Sequence, residues 1–240
     1  MTDIADRIAE LCAMFELPSQ DASTFEQLLR LVLAEPLALT SVRDLGDAVE
    51  VHLADSLAGL RIPEVREATD LADLGSGGGF PGLVLAAALP HTRVVLVESV
   101  GKKAAFLEQA ARELALANVE VVAGRVEDWG AGLRSVGLVT ARALAPLPVL
   151  LEYAAPLLRS AGSLVAWKGA RDPGEEAAAA SAAATLGMST PIAHTVEPGL
   201  VRGARERHLY VSLKVGETPS IFPRRAGTAR KRPLGRSSRG

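Results

Sequence analysis

The 240-residue sequence has one cysteine, four histidines and no long apolar run. Since a disulfide needs two cysteines, Cys12 excludes an internal cross-link and fits the reducing cytosol. The acidic N-terminus lacks the bases of a signal peptide, and no apolar stretch has the length needed to span a membrane. One thiol and four scattered histidines give no metal-ligand spacing. The sequence therefore predicts a cytoplasmic protein without membrane association or a metal site.

Aromatic residues are also few, at 4% against 48% hydrophobic residues overall, so Ala, Leu and Val must build the core. Three amphipathic helical patterns, the third from about Asp44 to Leu60, predict an N-terminal helical cap over residues 1–67. Over residues 68–215, strand patterns alternate with helical ones, which predicts an α/β core with a mostly parallel seven-stranded sheet. The predicted strands cover 71–75, 93–99, 119–125, 137–142, 162–169, 190–196 and 207–214. The predicted helices between them begin near Pro81, Gly101, Asp128, Pro146 and Gly174.

Acidic residues are missing from the last twenty positions, where seven Lys and Arg residues occur. The first 220 residues carry 19 bases and 28 acids. A basic segment rich in Gly, Pro and Ser lacks the apolar content to fold alone; it can neutralise an RNA backbone or remain a solvated terminus, and both interpretations fit equally well. We predict that residues 216–240 form a basic, flexible tail in which Arg224 and Arg225 contact RNA.

Five glycines in ten residues follow the first predicted strand, in the stretch DLGSGGGFPG at 73–82. In an open parallel sheet this turn borders the ligand site. Two templates overlap here: GxGxxG from Gly77, typical of nicotinamide enzymes, and DxGxGxG from Asp73, typical of class I methyltransferases. A carboxylate at Asp73 suits the ammonium and sulfonium of S-adenosylmethionine and would repel a pyrophosphate, for which Pro81 also lacks an N–H donor. The loop therefore favours the methyl donor, with predicted contacts from Asp73, Gly75, Ser76, Gly77, Gly79 and Phe80.

Further cofactor contacts are predicted at the ends of the second and third strands. Glu98, followed by Ser99, stands about twenty residues past the loop and can accept hydrogen bonds from ribose hydroxyls of either cofactor class. Val126 and Glu127 follow the third strand, the position from which class I enzymes contact adenine. Lys102 and Lys103 open a helix, where positive charge is mildly unfavourable unless it meets an anion. A phosphate of RNA is one candidate for that anion, and Glu98 or a neighbouring acid is the other.

Nine ordered segments together resemble the bacterial 16S rRNA methyltransferase G family. They are LTSVRD (39–44), HLADSL (52–57), DLGSGGGFPG (73–82), ESVGKKAAFL (98–107), RVED (125–128), ARAL (141–144), WKG (167–169), ERHL (206–209) and FPRRAG (222–227). One difference is Ala38, where the family commonly has Asn. The resemblance implies a Rossmann-like class I enzyme that moves a methyl group from S-adenosylmethionine to N7 of guanine 527 in 16S rRNA. We also expect the protein to act as a monomer. The acidic body predicts weak binding of isolated RNA, so we expect the substrate to be presented within the 30S subunit or an assembly particle.

The residue chemistry agrees with an N7 target. N7 of guanine has a lone pair and no proton, so its methylation needs alignment and no general base. The sequence has no Asn/Asp-Pro-Pro-aromatic run for an amino-group target, and its only thiol lies on the N-terminal helix, away from every strand end. Basic residues remain at the strand ends. We predict Arg142, Lys168 and Arg207 as catalytic positioning groups, Arg142 also beside the cofactor, and Arg125 as an RNA contact; a solvated salt bridge is the alternative for each arginine.

Two other functions stay open from the residues alone. A nicotinamide oxidoreductase would need a Tyr-x-x-x-Lys pair, and only Tyr210 offers one, on a strand pattern. An RNA-binding protein could keep the fold without turnover. His52, Asp55 and Ser56 share one helical face, which either faces the cofactor or RNA or is an ordinary hydrogen-bonded polar surface.

Overall fold

The computed structural model describes residues 3–204 and 206–235. Among them a seven-stranded sheet has the order β3-β2-β1-β4-β5-β7-β6. Its strands are β1 Asp70–Leu74, β2 Arg93–Glu98, β3 Val119–Ala123, β4 Val136–Arg142, β5 Leu158–Lys168, β6 Ile192–Thr195 and β7 His208–Leu213. The first five strands pair in parallel, whereas β7 runs antiparallel to β5 and β6. The predicted mostly parallel seven-stranded sheet is confirmed.

The strand order places the functional end of the sheet. From β1 to β3, successive strands are added towards one edge of the sheet, and from β4 onward they are added towards the other edge. The strand order therefore reverses between the parallel neighbours β1 and β4. The carboxyl ends of both strands therefore border one crevice, the position where open α/β sheets bind ligands. Strands β1, β2 and β4 are buried on both faces, which explains why their sequences do not alternate between apolar and polar residues.

One face of the sheet is covered by the N-terminal helices and by the helices that follow β1 and β2. These are α1 Ile4–Met14, α2 Asp21–Ala34, α6 Gly82–Ala88 and α7 Gly101–Glu113, together with the segment 45–66. Leu11 and Phe25 of the first two helices are fully buried in the same hydrophobic cluster as Leu71 and Leu96 of the sheet. The helices predicted as a cap thus share one core with the sheet.

The segment 45–66 is irregular, although its periodicity predicts one continuous helix. It consists of α3 Leu45–Ala48, a π-helical turn Val49–Ala54, α4 Asp55–Leu57, a 3₁₀ turn Ala58–Arg61 and α5 Pro63–Arg66. In the π turn, the Asp55 N–H donates to Glu50 O, five residues back. Val51 O, the acceptor it would have in an α-helix, instead receives Arg142 Nη1 of β4 at 2.9 Å. The wider turn therefore fixes the N-terminal helices to a strand end.

The opposite face of the sheet carries α8 Leu147–Ala154, α9 Pro173–Leu186 and the short α10 Thr228–Lys231. The prediction of a helix near Asp128 is wrong. In the described connection between β3 and β4, the helical structure is limited to two 3₁₀ turns, Val126–Asp128 and Gly130–Gly132. Three glycines in this short connection, Gly124, Gly130 and Gly132, disfavour an α-helix. The missing helix leaves part of this face to be covered by another segment.

Residues 216–235, here called the C-terminal strap, cover that part of the face. Phe222 and Ala229 are buried in the hydrophobic cluster of α8 and α9. Arg224 pairs with Glu152 of α8, with Nε to Oε1 at 2.6 Å and a second contact through Nη2. This packing differs from the expected flexible tail, because the acidic and apolar partners of the strap lie elsewhere in the chain. The last predicted tail residues, 236–240, lie outside the described residues.

The described helices offer no membrane-spanning segment, since none of them is both long and apolar enough.

Removing the Arg224 side chain should destabilise the fold strongly. Glu152 is only 2% exposed, so Arg224→Ala leaves a buried carboxylate without its partner, and we expect the free energy of unfolding to fall by about 3 kcal/mol. Urea unfolding at pH 7 measures this. Arg225→Ala, an exposed neighbour, should change little, and the double variant Glu152→Met/Arg224→Met should recover most of the loss. Equal stability of Arg224→Ala and the natural chain would contradict the buried pairing.

Candidate active site

The glycine loop has a backbone that only glycine adopts easily. Gly75, Gly77 and Gly79 have φ values of +67°, +55° and +92°. A Cβ on Gly75 would lie 2.5 Å from Leu144 Cδ1, and one on Gly79 would lie 2.4 Å from Leu83 Cδ1. At Gly77 the nearest atom to such a Cβ is a backbone oxygen 3.7 Å away. The first and last of these glycines therefore serve packing, whereas Gly77 offers open backbone to a ligand.

Asp73 is buried beneath the glycine loop, and its carboxylate bonds to the protein instead of facing a ligand. It is 1% exposed, and it accepts hydrogen bonds from Thr140 Oγ1 at 2.9 Å and from the Gly82 N–H at 3.3 Å. Burial raises the pKa of Asp73 to about 6, against the lowering effect of the Thr140 hydrogen bond. Ser76 is also turned inward, because its hydroxyl donates to Asp73 O at 2.8 Å. The expected direct contact of Asp73 with a cationic ligand is replaced by a structural role at the start of α6.

Glu98, at the end of β2, has the position and chemistry of a ribose acceptor. Its Oε2 accepts the Gly77 N–H at 3.0 Å and its Oε1 accepts the Val100 N–H at 2.7 Å, which fixes the carboxylate beside the loop. Each carboxylate oxygen can accept a further hydrogen bond. Ser99 beside it is exposed. An acceptor-only group next to a backbone with no side chain fits the ribose diol of S-adenosylmethionine.

The segment after β3 is held by the strap. Glu127 Oε1 accepts the Gly227 N–H at 2.7 Å, so its carboxylate bonds to the protein. Val126 is half-buried against the cluster of α8 and α9, and Arg125 is exposed. A contact between this segment and adenine would therefore use its backbone or the Val126 side chain.

At the other side of the loop, Asp55 joins three strand ends to the N-terminal helices. Its carboxylate accepts Arg142 Nη1 at 2.9 Å and Arg207 Nε at 3.1 Å. Its backbone oxygen accepts Trp167 Nε1 at 2.8 Å. Asp55 is 5% exposed, so these bonds are largely shielded from water. They fix the ends of β4 and β5 and the approach to β7.

His52 extends this network to the glycine loop. Its Nδ1 lies 3.2 Å from Arg142 Nη2 and its Nε2 lies 2.7 Å from Thr40 Oγ1. Since Arg only donates, Nδ1 is the acceptor and the proton belongs on Nε2. The ring stacks on Phe80 with centroids 4.4 Å apart and planes 8° apart. Burial, with the charge of Arg142, lowers the pKa of His52 to about 4, so the ring is neutral at pH 7.

These side chains border an open cleft of about 390 Å³, within the size range of small-molecule sites. The cleft is lined by Val51, His52, Asp55, Arg142, Ala143, Ala145, Trp167, Lys168, Gly169 and Arg207. It thus brings together Arg142, Lys168 and Arg207, the three residues predicted as catalytic. Arg142 is 15% exposed and bonded to the protein on both Nη atoms, whereas Arg207 is 35% exposed. Lys168 Nζ pairs with Glu175 Oε1 at 2.7 Å.

The other predicted RNA contacts do not line the cleft. Lys102, Arg125 and Arg225 are exposed, and Lys103 is half-buried at the start of α7. Arg224 faces inward to Glu152, so its guanidinium is taken up by an internal ion pair; this corrects the expectation of an RNA contact there.

The sequence assigned no role to Thr40, Trp167 or the stacking of His52 on Phe80. The sequence nevertheless pointed to these residues, because every residue whose side chain bonds to or stacks on Asp55 or His52 lies in a segment that resembles the family. Those segments are 39–44, 52–57, 73–82, 141–144, 167–169 and 206–209. The fold brings these six segments to one edge of the sheet. Tyr210, the only tyrosine with a lysine four positions later, donates to Glu176 Oε1 at 2.5 Å and is buried on β7.

Comparison with known proteins identifies the family. A family model described as rRNA small subunit methyltransferase G matches residues 19–210. The chain belongs to this family. Ribosomal RNA small subunit methyltransferase G of Synechococcus elongatus is 38% identical over 223 residues, which are 90% of this chain and 91% of the relative. The protein of the same name from Chloroflexus aggregans is 44% identical over 199 residues, which are 82% of each chain.

Solved structures of low identity share the fold. A SAM-dependent methyltransferase from Aquifex aeolicus has a TM-score of 0.56 at 16% identity, over 75% of this chain and 99% of that one. The fibrillarin pre-rRNA processing protein from Methanococcus jannaschii has a TM-score of 0.53 at 15% identity, over 68% and 74%. The predicted Rossmann-like class I fold is confirmed.

The family also establishes the cofactor. The prediction that S-adenosylmethionine is the cofactor is confirmed. As a member of this family, the protein is an S-adenosylmethionine-dependent methyltransferase of small-subunit rRNA. Gly77 and Glu98, predicted as cofactor contacts, lie side by side at the loop, with the Gly77 N–H donating to Glu98 Oε2 at 3.0 Å. The nicotinamide alternative is thereby set aside.

The buried His52 should make stability depend on pH. Unfolded His52 takes up a proton below about pH 6.5, whereas folded His52 stays neutral to about pH 4, so the unfolded state binds more protons in this window. Stability is therefore lost as the pH falls from 6.5 towards 4. We expect the stability advantage of the natural chain over His52→Gln to shrink by about 2 kcal/mol between pH 7 and pH 5.

Urea unfolding of both chains at the two pH values measures this difference. Asp73, whose raised pKa acts in the opposite direction, is present in both chains and cancels. A difference that does not vary with pH would show that His52 titrates normally and that the stacked, neutral arrangement is incorrect.

Proposed function

We propose that this methyltransferase modifies N7 of guanine 527 in 16S rRNA by direct displacement. The observation that carries the proposal is the single cleft that holds Arg142, Lys168 and Arg207 at the same sheet edge as the glycine loop and Glu98. Cationic donors suit the phosphates of RNA and the O6 acceptor that lies beside N7 on guanine.

The cleft supports a reaction without a general base. The bound S-adenosylmethionine supplies an electrophilic methyl group, and N7 has a lone pair and no proton to lose. His52 has both ring nitrogens engaged and a pKa of about 4, and Asp55 is bonded to two arginines, so neither group is placed to take a proton. The contribution of the chain is to hold the base in line with the methyl group, for which correct orientation alone supplies several kcal/mol.

The three cationic residues that line the cleft have different roles in this proposal. Arg142 is a positioning residue, because its donors bond to Val51, His52 and Asp55 and keep the cleft walls together. Arg207 and Lys168 each have one protein carboxylate as partner and retain further N–H donors that can face the substrate. These two are the groups we assign to the guanine or its flanking phosphates.

The charge of the protein favours a ribonucleoprotein substrate. The first 220 residues carry 19 bases against 28 acids, so the long-range field of the body does not attract free RNA. We therefore assign the 30S subunit or an assembly particle as the substrate, modified in the cytoplasm by a monomer. Contacts from Lys102, Lys103, Arg125 and Arg225 would supplement the cleft.

Mapping the methylated base tests the proposal. The protein is incubated with labelled S-adenosylmethionine and 30S subunits from a strain that lacks the modification, and the product is mapped by mass spectrometry. One methyl group at N7 of guanine 527 is expected, with slower transfer to a short naked RNA of the same sequence. A methyl group on another nucleotide would overturn the site assignment, and equal rates on the naked RNA would overturn the preference for a particle.

Removing the exposed cleft cations should affect RNA more than cofactor. For Arg207→Ala and Lys168→Ala we expect kcat/KM for 30S subunits to fall about tenfold or more, because a charge-assisted hydrogen bond to RNA is lost. The dissociation constant for S-adenosylmethionine, measured by calorimetry, should stay within about twofold, since neither residue borders Glu98. Arg171→Ala, which removes an exposed arginine paired with Glu176 outside the cleft, is the matched control. An unchanged kcat/KM in both cleft variants would remove them from substrate binding.

A further inference from the structure

We propose that the C-terminal strap supports binding of the cofactor. In the strap, Arg230 and the Gly227 N–H position the two segments on either side of the glycine loop. The segments are the turn after β3, which contains Val126 and Glu127, and the turn after β4, which contains Leu144. The inference rests on S-adenosylmethionine binding and is independent of which RNA base is methylated.

The first support is the gap in the helical layer. The connection after β3 has only two 3₁₀ turns in the described chain, so it has no helix of its own to pack it against the sheet. The strap supplies that packing: Phe222 and Ala229 enter the cluster of α8 and α9, and α10 lies on α8. The turn that follows β3 is therefore held in place by residues about one hundred positions later in the chain.

The second support is the bond between Gly227 and Glu127. The Gly227 N–H donates to Glu127 Oε1 at 2.7 Å, and Gly227 has φ +79°, a conformation that glycine adopts without strain. The bonded turn directly follows β3, at the carboxyl edge of the sheet where the cofactor binds. Fixing Glu127 also fixes the backbone of Val126 beside it.

The third support is a two-contact path from Arg230 to the glycine loop. Arg230 Nη2 donates to Leu144 O at 2.8 Å. The Leu144 side chain in turn lies against Gly75, so closely that a Cβ there would be 2.5 Å from Leu144 Cδ1. Gly75 has φ +67° and is the first glycine of the loop. Movement of Leu144 would remove the side chain against which this turn is packed.

The fourth support is the direction in which the basic side chains point. Arg224 pairs with the buried Glu152, and its Nη2 also donates to Arg232 O at 2.9 Å, which closes the strap on itself. Arg230 bonds to the protein as well, although it is exposed. Arg225, by contrast, is exposed and forms no side-chain hydrogen bond or ion pair within the described residues. Two arginines of the strap thus serve internal contacts, and Arg225 is the natural comparison for them.

The test measures the cofactor affinity of the full chain without RNA. For Arg230→Ala we expect the dissociation constant for S-adenosylmethionine, measured by calorimetry, to rise about tenfold, because a charge-assisted hydrogen bond that holds the loop wall is lost. Arg230→Lys, which retains a cationic donor, should recover part of the affinity. Arg225→Ala removes the same charge from the same segment and should leave the dissociation constant unchanged.

Two further measurements separate this role from an RNA contact and from general destabilisation. In steady-state assays, Arg230→Ala should raise KM for S-adenosylmethionine and leave KM for 30S subunits within about twofold. Hydrogen exchange should quicken at residues 124–130 and 143–146 in Arg230→Ala and remain slow in β1 and β2. A chain ending at Ala226 keeps Arg224 and loses both bonds, so its cofactor affinity should be lower than that of Arg230→Ala.

Each contrary result has a definite meaning. Unchanged cofactor affinity in Arg230→Ala and in the shortened chain would overturn the proposal. A raised KM for 30S subunits with normal cofactor affinity would also overturn it, since the strap would then be an RNA contact. Because the affinity measurement contains no RNA, it stands even if mapping shows a base other than guanine 527.

Discussion

The arrangement of the cleft at the carboxyl ends of the strands depends on the carboxylate of Asp55. A buried carboxylate is costly unless it is fully paired, and Asp55 meets this condition by accepting from Arg142 and Arg207 at once. Its backbone oxygen holds Trp167 as well, so one residue of an N-terminal helix fixes three strands of the sheet. The carboxylate also lies between two guanidinium groups and reduces the repulsion between them. Without it, the walls of the cleft would have no common anchor.

The sheet was predictable because its signal is local. Buried parallel strands are short apolar runs, and all seven were located to within a few residues from the sequence. The glycine loop and Glu98 were equally accessible, since a fixed spacing along the chain relates them. Where the prediction erred, the determinant was distant in sequence. The π turn at Val49–Ala54 accompanies the hydrogen bond from Arg142, some ninety positions later in the chain. The periodicity of residues 44–60 contains no sign of that distant partner.

Distant partners also explain why the conformation of the strap and the role of Asp73 were predicted wrongly. Counting bases in the last twenty residues predicts a solvated tail, because the count contains no acids. The acids that pair with it, Glu127 and Glu152, lie in segments whose own composition is unremarkable. Asp73 is a related case: its motif places it beside the ligand, but a residue inside a doubly covered strand is buried, and its acceptors are used by Thr140 and Gly82. Motif position indicates the neighbourhood of a side chain and leaves its partner undetermined.

The strap follows every strand of the sheet in the chain, and this has a consequence for how the molecule is made. During synthesis the sheet, the glycine loop and α8 leave the ribosome first, while the segment that covers the gap after β3 is still to come. Until then Glu152 is a carboxylate on a largely apolar face without its arginine, and the turn at Val126–Asp128 lacks its packing. The nascent sheet must tolerate that exposed face for the time needed to translate the remaining residues. That face closes only once the strap has been synthesised.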